Sequence, residues 1–179
     1  ASSIVCECIS RCSAGAGKKC EIWLAATTTI DGKSYVLGLF DTAGQEEFDR
    51  LRTLAYVNCD VFLICFSVMS QDSLKHAQES WIREVRVHAS NVPCILVGTH
   101  IDLRDDPKSR DRKTSNAGHA HCVSTKEGMA AASRLGADSY VECSSLTEAG
   151  IIRLKEAAID AVLNSYSTDD GCQCACTIM

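Results

Sequence analysis

Residues 61–66, Val-Phe-Leu-Ile-Cys-Phe, form an unbroken apolar run, and residues 94–97, Cys-Ile-Leu-Val, form a second one. A strand that is polar on one face alternates; a run without alternation is buried on both faces, as in the parallel centre of an α/β sheet. The link between the runs reads as a helix. Ser70 supplies an N-cap, and Leu74, Ala77, Trp81, Ile82 and Val85 fall at offsets of three, four, seven and eight, one helical face. Pro93 ends the link. Further on, Ser124-Thr125-Lys126-Glu127 is a capping box that opens a helix closing near Gly136. Residues 140–143 read as a short strand and residues 148–166 as a last helix, with Leu154, Ala158, Ala161 and Val162 inward. This alternation predicts a doubly wound α/β fold: a mostly parallel sheet, helices on both faces, and ligand loops at the carboxyl ends of the strands.

The amino-terminal part is less regular. Residues 4–9 alternate weakly, as a poor strand does, and residues 13–20 form a small-residue loop ending in lysines. Residues 21–26 are compatible with a helical turn or two. Residues 27–30 and 34–40 read as strands joined by Asp31-Gly32, a strong hairpin signal. Residues 104–121 are polar with weak periodicity and read as an exposed insertion. The chain divides into one domain, 1–164, and a polar, flexible tail, 165–179. No internal repeat is evident.

At 179 residues the chain is long enough for one full core, and a net charge of −5 argues against nucleic acid as a partner. No run of eighteen apolar residues is present and no signal peptide is visible, so a reducing compartment and few disulfides are expected despite twelve cysteines. Cys59, Cys65, Cys94 and Cys143 sit in apolar runs, where free cysteine packs as a small hydrophobe. The initial Ala1 is compatible with a fragment or a processed form.

Residues 41–48, Asp-Thr-Ala-Gly-Gln-Glu-Glu-Phe, follow the second hairpin strand and precede residues 49–52, which read as a short irregular helix. An acid at a strand end can hold the water shell of Mg²⁺, a glycine lets a backbone N–H approach a terminal phosphate, and a glutamine can orient water. D-x-x-G alone is often only a hydrophilic turn; the full string DTAGQE is far more specific to a GTP-binding switch.

Two further loops fall at the ends of buried strands, residues 98–102 (Gly-Thr-His-Ile-Asp) and 142–146 (Glu-Cys-Ser-Ser-Leu). An acid placed like Asp102 can accept from N1–H and the 2-amino group of guanine, a pair adenine lacks. Small residues at 144 and 145 can bring a backbone N–H to the guanine oxygen. Taken singly, Asp102 also reads as a helix cap and Ser144-Ser145 as a plain loop. Their order and spacing favour base recognition.

From Gly32 to Leu163, nearly three quarters of the chain, the sequence resembles a Rho-family small GTPase of the Ras superfamily. The residues that carry the resemblance are 35–46, 60–67 (Asp-Val-Phe-Leu-Ile-Cys-Phe-Ser) and 103–106 (Leu-Arg-Asp-Asp). It implies the P-loop NTPase fold and a switch that binds and slowly hydrolyses GTP. It also implies Mg²⁺, exchange factors, activating proteins and effectors. Gln45 would position the attacking water. Gly15, Ala16, Gly17, Lys18, Lys19 and Cys20 would surround the phosphates with Asp41, Thr42, Ala43 and Gly44, Asp41 acting through Mg²⁺ water. Thr99, His100, Asp102, Ser144, Ser145 and Leu146 would hold the base.

The chain departs from that pattern. The phosphate loop G-x-x-x-x-G-K-[ST] fits Gly17 and Lys18, but its opening glycine is Cys12 and its hydroxyl position is Lys19. Charged lysine has no lone pair for Mg²⁺. Lys18 and Asp41 are only 23 residues apart, considerably closer than in the family, so most of the first helix and the first switch is missing. Thr27, Thr28 and Thr29 read as strand, not as the missing switch threonine. His100 stands where Ras-type proteins favour lysine, and Ser145 where alanine is usual. Three readings remain: a working switch, a pseudo-GTPase interaction module with weak or no nucleotide binding, and a truncated or alternatively spliced product of marginal stability. Loss of a helix that covers the sheet would expose apolar surface.

The final residues Cys176-Thr177-Ile178-Met179 fit a C-a-a-X box of the farnesyl type. One lipid chain binds marginally, so a second signal is expected. Basic residues are lacking after Lys155, and Asp169-Asp170 would be repelled by an anionic leaflet, which leaves Cys172 and Cys174 as acylation candidates. A metal clip made of Cys172, Cys174 and Cys176 is disfavoured, because zinc cysteines generally want at least two residues between them. The same holds for Cys6, Cys8 and Cys12 and for His119 with His121. The expected location is the cytoplasmic face of the plasma membrane or an endomembrane, through a lipid anchor.

Overall fold

The computed structural model describes residues 3–11, 24–30, 32–41, 52–54, 56, 59–105 and 122–167. The two apolar runs become strands β4 (Val61–Ser67) and β5 (Cys94–Thr99), paired in parallel with Phe62 opposite Cys94 and Ser67 opposite Thr99. Strand β6 (Ser139–Glu142) joins β5 in parallel. Alternate residues of β4 serve two cores. Phe62, Ile64 and Phe66 pack with Leu96 on one face, and Val61 and Leu63 with Ile95 and Val97 on the other. Both faces being covered is the reason neither run contains a polar residue.

The helix after β4, here α1, spans 71–88 as an α-helical part Gln71–His76, a π turn Ala77–Trp81 and an α-helical part Ile82–His88. Ser70 caps it by accepting from the Ser73 N–H, and all five residues of the predicted face are buried. A short helix α2 (Ile101–Asp105) follows β5, and α3 (Thr125–Leu135) precedes β6. Helix α3 carries the predicted capping box, Ser124 with Glu127, and ends on Gly136 at φ 62°. Helix α4 (Ile151–Ser167) lies on the second face, where Ala158 and Val162 are buried.

The remaining strands are β1 (Ser3–Arg11), β2 (Leu24–Ile30) and β3 (Lys33–Asp41), and the sheet order is β2-β3-β1-β4-β5-β6. The hairpin pairing is as expected: Ile30 faces Lys33, and Gly32 takes a turn conformation at φ 73°. Residues 24–26 are strand, not helical turn, because Leu24, Ala25 and Ala26 pair with Leu39, Gly38 and Leu37. Cross-strand pairing overrides the helical leaning of Leu-Ala-Ala. Tyr35 and Leu37 are buried against Ile159 of α4, so this face of the hairpin is covered.

Three differences from the sequence reading have local causes. Strand β1 runs antiparallel to both neighbours, Val5 lying opposite Asp41 and Leu63, so parallel pairing is confined to β4, β5 and β6. Helix α4 starts at Ile151 rather than 148, because Glu148 and Gly150 take positive φ, 60° and 75°. It also runs to Ser167, three residues into the stretch read as tail. Finally, Arg104 belongs to α2 and is half-buried, so it is not part of an exposed insertion; residues 106–121 lie outside the described residues.

Candidate functional site

Strands β3 and β4 both run antiparallel to β1, so their carboxyl ends share one sheet edge with those of β5 and β6. Asp41, exposed, closes β3 at that edge. Thr99 closes β5 there. Its hydroxyl donates to the Phe66 carbonyl at 2.9 Å. That is its only proton, so the 2.8 Å contact with His100 Nδ1 is an imidazole N–H donating to Thr99 Oγ1. The proton on Nδ1 is assigned by that contact.

His100 takes φ 64°, a left-handed conformation that few non-glycine residues adopt. It turns the chain sharply into α2, and its carbonyl accepts from the Leu103 N–H at 3.1 Å. The turn places Asp102, half-buried, in the first turn of α2. Among the described residues its carboxylate has no hydrogen-bond or ion-pair partner, so both oxygens are available to a ligand.

The 142–146 loop lies beside it. The Cys143 N–H donates to the Gly98 carbonyl at 2.8 Å, and the Cys143 carbonyl accepts from Ile101 N–H at 3.5 Å. Ser144 is fully buried; its N–H donates to the Ala149 carbonyl at 2.9 Å and its Oγ accepts from Thr147 N–H at 3.2 Å. Ser144 therefore scaffolds the turn, and its own N–H is not free for a base. The amides of Ser145 and Leu146 have no partner among the described residues and are the ones positioned to donate. Leu146 is 80% exposed. Gly150 closes the turn, where a Cβ would collide with the Glu142 carbonyl oxygen.

The residues that knit these loops together carried no motif signal. Arg104 sends two hydrogen bonds to Glu142, Nη1 to Oε1 and Nη2 to Oε2, both 2.8 Å. The Tyr140 hydroxyl reaches Oε1 at 2.9 Å and the Thr125 hydroxyl Oε2 at 3.1 Å. Burial pushes the Glu142 carboxyl up, but the bonds from Arg104 and Tyr140, the Arg104 charge and Thr125 outweigh it, and the net shift is downward. Burial, then the bond to and charge of Glu142, drive the Tyr140 phenol far above its usual range. A Cβ at Gly128 would run into the Tyr140 ring, and one at Gly98 would come within 2.7 Å of its hydroxyl oxygen.

A second cluster holds the chain just beyond the D-x-x-G stretch. Residues 52–54 are helical, and Arg52, 4% exposed, pairs with Glu84 of α1 through Nε to Oε1 at 2.8 Å and Nη2 to Oε2 at 2.9 Å. Tyr56 donates to the same Oε1 at 2.7 Å, and the guanidinium lies 4.8 Å from the Trp81 ring centre.

Of the residues singled out from the sequence, Asp41, Thr99, His100, Asp102, Ser144, Ser145 and Leu146 thus come to one edge. Gly15, Ala16, Gly17, Lys18, Lys19, Cys20, Thr42, Ala43, Gly44 and Gln45 lie outside the described residues, as do Cys172, Cys174 and Cys176. The described residues on either side of 12–23 lie at opposite edges of the sheet. Arg11 is level with Tyr35, near the amino end of β3, and Leu24 with Leu39, two residues from Asp41.

An α/β sheet whose strand ends bring together an acid and amides with no partner among the described residues has the arrangement of a ligand-binding edge. A family model for the Ras family matches residues 20–164. The chain belongs to the Ras family and is a small GTP-binding protein. Family membership brings guanine nucleotides, GTP and GDP, Mg²⁺ as their usual companion, and regulators and effectors in general. The match begins at Cys20, immediately after Lys19.

The base-binding half fits this assignment, because Asp102 offers two acceptors for guanine N1–H and its 2-amino group. For Mg²⁺ the described residues offer only the carboxylate of Asp41; Lys19, which the sequence reading puts at the hydroxyl position, lies outside them. Among the described residues no group of three or more His, Cys, Asp or Glu is placed to hold a metal ion. Among them, too, no helix is long and apolar enough to cross a membrane.

Proposed function

We propose that this is a Rho-type small GTP-binding protein, a membrane-anchored signalling switch that binds GTP and hydrolyses it slowly. The observation that carries nucleotide binding is the meeting of Asp102, partnerless and half-buried, with the Ser145 and Leu146 amides at the edge that Asp41 also occupies. Asp102 reads guanine, Ser145 or Leu146 donates to its oxygen, and His100 and Thr99 shape the side of the base pocket. Lys18 with the Gly15–Gly17 backbone holds phosphate, Gly44 contacts the terminal phosphate, and Gln45 orients the water. Mg²⁺, when bound, supplies charge neutralisation of the phosphates, with Asp41 as its carboxylate partner. The Rho assignment is supported by residues 60–67 and 103–106, and the anchor by the C-a-a-X box at Cys176, with Cys172 and Cys174 as acylation sites.

Extraction and identification of nucleotide from the purified protein tests the reading. Guanine nucleotide near one per chain is the expected result, and a nucleotide-free, cooperatively folded protein overturns it. One observation favours a second reading, a pseudo-GTPase interaction module. With β1 antiparallel to β4, the segment after Arg11 starts from the edge away from Asp41, whereas a phosphate loop works best directly at the carboxyl end of its own strand. A folded but empty protein selects that reading.

A further inference from the structure

Glu142, the last residue of β6, is a meeting point of three elements. Arg104 bonds it from α2, two residues after Asp102; Tyr140 bonds it from β6; Thr125 bonds it from the first turn of α3. On its other side the chain passes directly into Cys143, Ser144, Ser145 and Leu146. Arg104 and Thr125, which are 21 positions apart in the sequence, thus bond the same carboxylate.

Resting on the GTP-binding reading above, we infer that Glu142 is a positioning residue for guanine recognition, holding the Asp102 helix against the 143–146 turn through Arg104. Three features make this a device of fixed geometry. The guanidinium fork is planar, so a two-bond pair sets both distance and angle. The Tyr140 hydroxyl donates to the carboxylate at 2.9 Å, and its ring and hydroxyl lie close over Gly128 and Gly98. The Arg104 charge is spent on Glu142, which leaves the Asp102 carboxylate free for the ligand. Two groups on separate loops must face one base at a fixed separation, and a misplacement of about 1 Å is enough to lose such recognition.

The test compares GDP with inosine diphosphate, which lacks the 2-amino group that Asp102 accepts from, on the full chain carrying Glu142→Gln or Arg104→Lys. The unaltered protein should prefer GDP by about tenfold or more, the value of one charged hydrogen bond. Glu142→Gln should weaken GDP about tenfold and the inosine nucleotide much less, carrying the preference towards unity. Arg104→Lys, which keeps the charge and loses the fork, should move it in the same direction. Equal losses for both nucleotides, with the preference intact, overturn the inference and leave Glu142 a support of the fold.

Hydrogen exchange without nucleotide separates this inference from the reading it rests on. The amides of Leu103, Cys143, Ser144 and Thr147 should exchange faster in Glu142→Gln while those of β4 are unchanged. If the unaltered protein takes up neither nucleotide, the GTP reading falls, and exchange alone decides whether Glu142 holds the two loops. Unchanged exchange, or acceleration throughout the molecule, overturns it.

Discussion

Single residues set the tolerances of this molecule. Gly128 lies inside α3, where glycine costs a helix about 1 kcal/mol relative to alanine. Its place is explained by the Tyr140 ring, which occupies the space a Cβ would need. Gly128→Ala should therefore destabilise despite its better helix propensity, by about 1–3 kcal/mol, measured by urea unfolding; a stabilised variant would show that the ring moves aside. Two carboxylates set the acid response. Glu142 and Glu84 are each buried in part, which raises their pKa, and each is pulled below the ordinary value by its arginine and tyrosine partners. A carboxylate held low in the folded state contributes stability that is complete above its unfolded pKa, about 4.3. That contribution is lost as pH falls through the lower folded value. The stability gap between the unaltered protein and Glu84→Gln, measured by denaturant titration from pH 7 downwards, should thus hold to about pH 5 and narrow below about pH 4. A gap that does not change with pH would mean that the glutamate acts through packing and not through its charge.

At the level of elements, the sequence is legible where burial has a period and opaque where contacts are long-range. The continuous runs of β4 and β5, the five-residue face of α1 and the capping box of α3 all follow from local pattern, and all are found. The start of α4 was not legible, because Glu148 adopts a conformation its side chain does not announce. Neither was the Glu142 cluster: Arg104 and Glu142 are 38 residues apart, and only folding makes them neighbours. At the candidate site, the position of Asp102 just after β5 was readable from its loop, whereas the scaffold role of Ser144 depends on the Ala149 carbonyl, which no motif specifies. The pair Arg52–Glu84, 32 residues apart, is of the same kind and fastens the chain beyond D-x-x-G to α1. Arg52→Met leaves the half-buried Glu84 charge without its guanidinium, at a cost of about 1–3 kcal/mol. Adding Glu84→Leu removes the stranded charge and should recover most of the loss in thermal melting. A double variant as unstable as the single one would show that the arginine acts through its stacking on Trp81.

At the scale of the whole molecule, the proposed reading has one half recognise the base and the other hold phosphate and membrane. Under that reading Cys176→Ser should abolish membrane association in fractionated cells, since a thioether lipid there would be the primary attachment and the acidic residues in the sequence near it would add no attraction. Unchanged partitioning would exclude the lipid anchor. The phosphate half turns on position 19. In the proposed reading, lysine brings a charge and no lone pair to the place where a hydroxyl would complete the Mg²⁺ shell with Asp41. Lys19→Thr should therefore raise GDP affinity in the presence of Mg²⁺ by roughly tenfold, the worth of about 1.4 kcal/mol of added coordination. Affinity in chelator should stay flat or fall, because the same change removes a cation from the phosphates. The two conditions together isolate the metal: a gain that survives chelation would mean that the lysine had only obstructed the pocket. No gain in either would mean that the short passage from Lys18 to Asp41, which lacks the first switch, prevents a Mg²⁺ site whatever stands at 19, and the base-reading edge would then serve a protein that does not cycle.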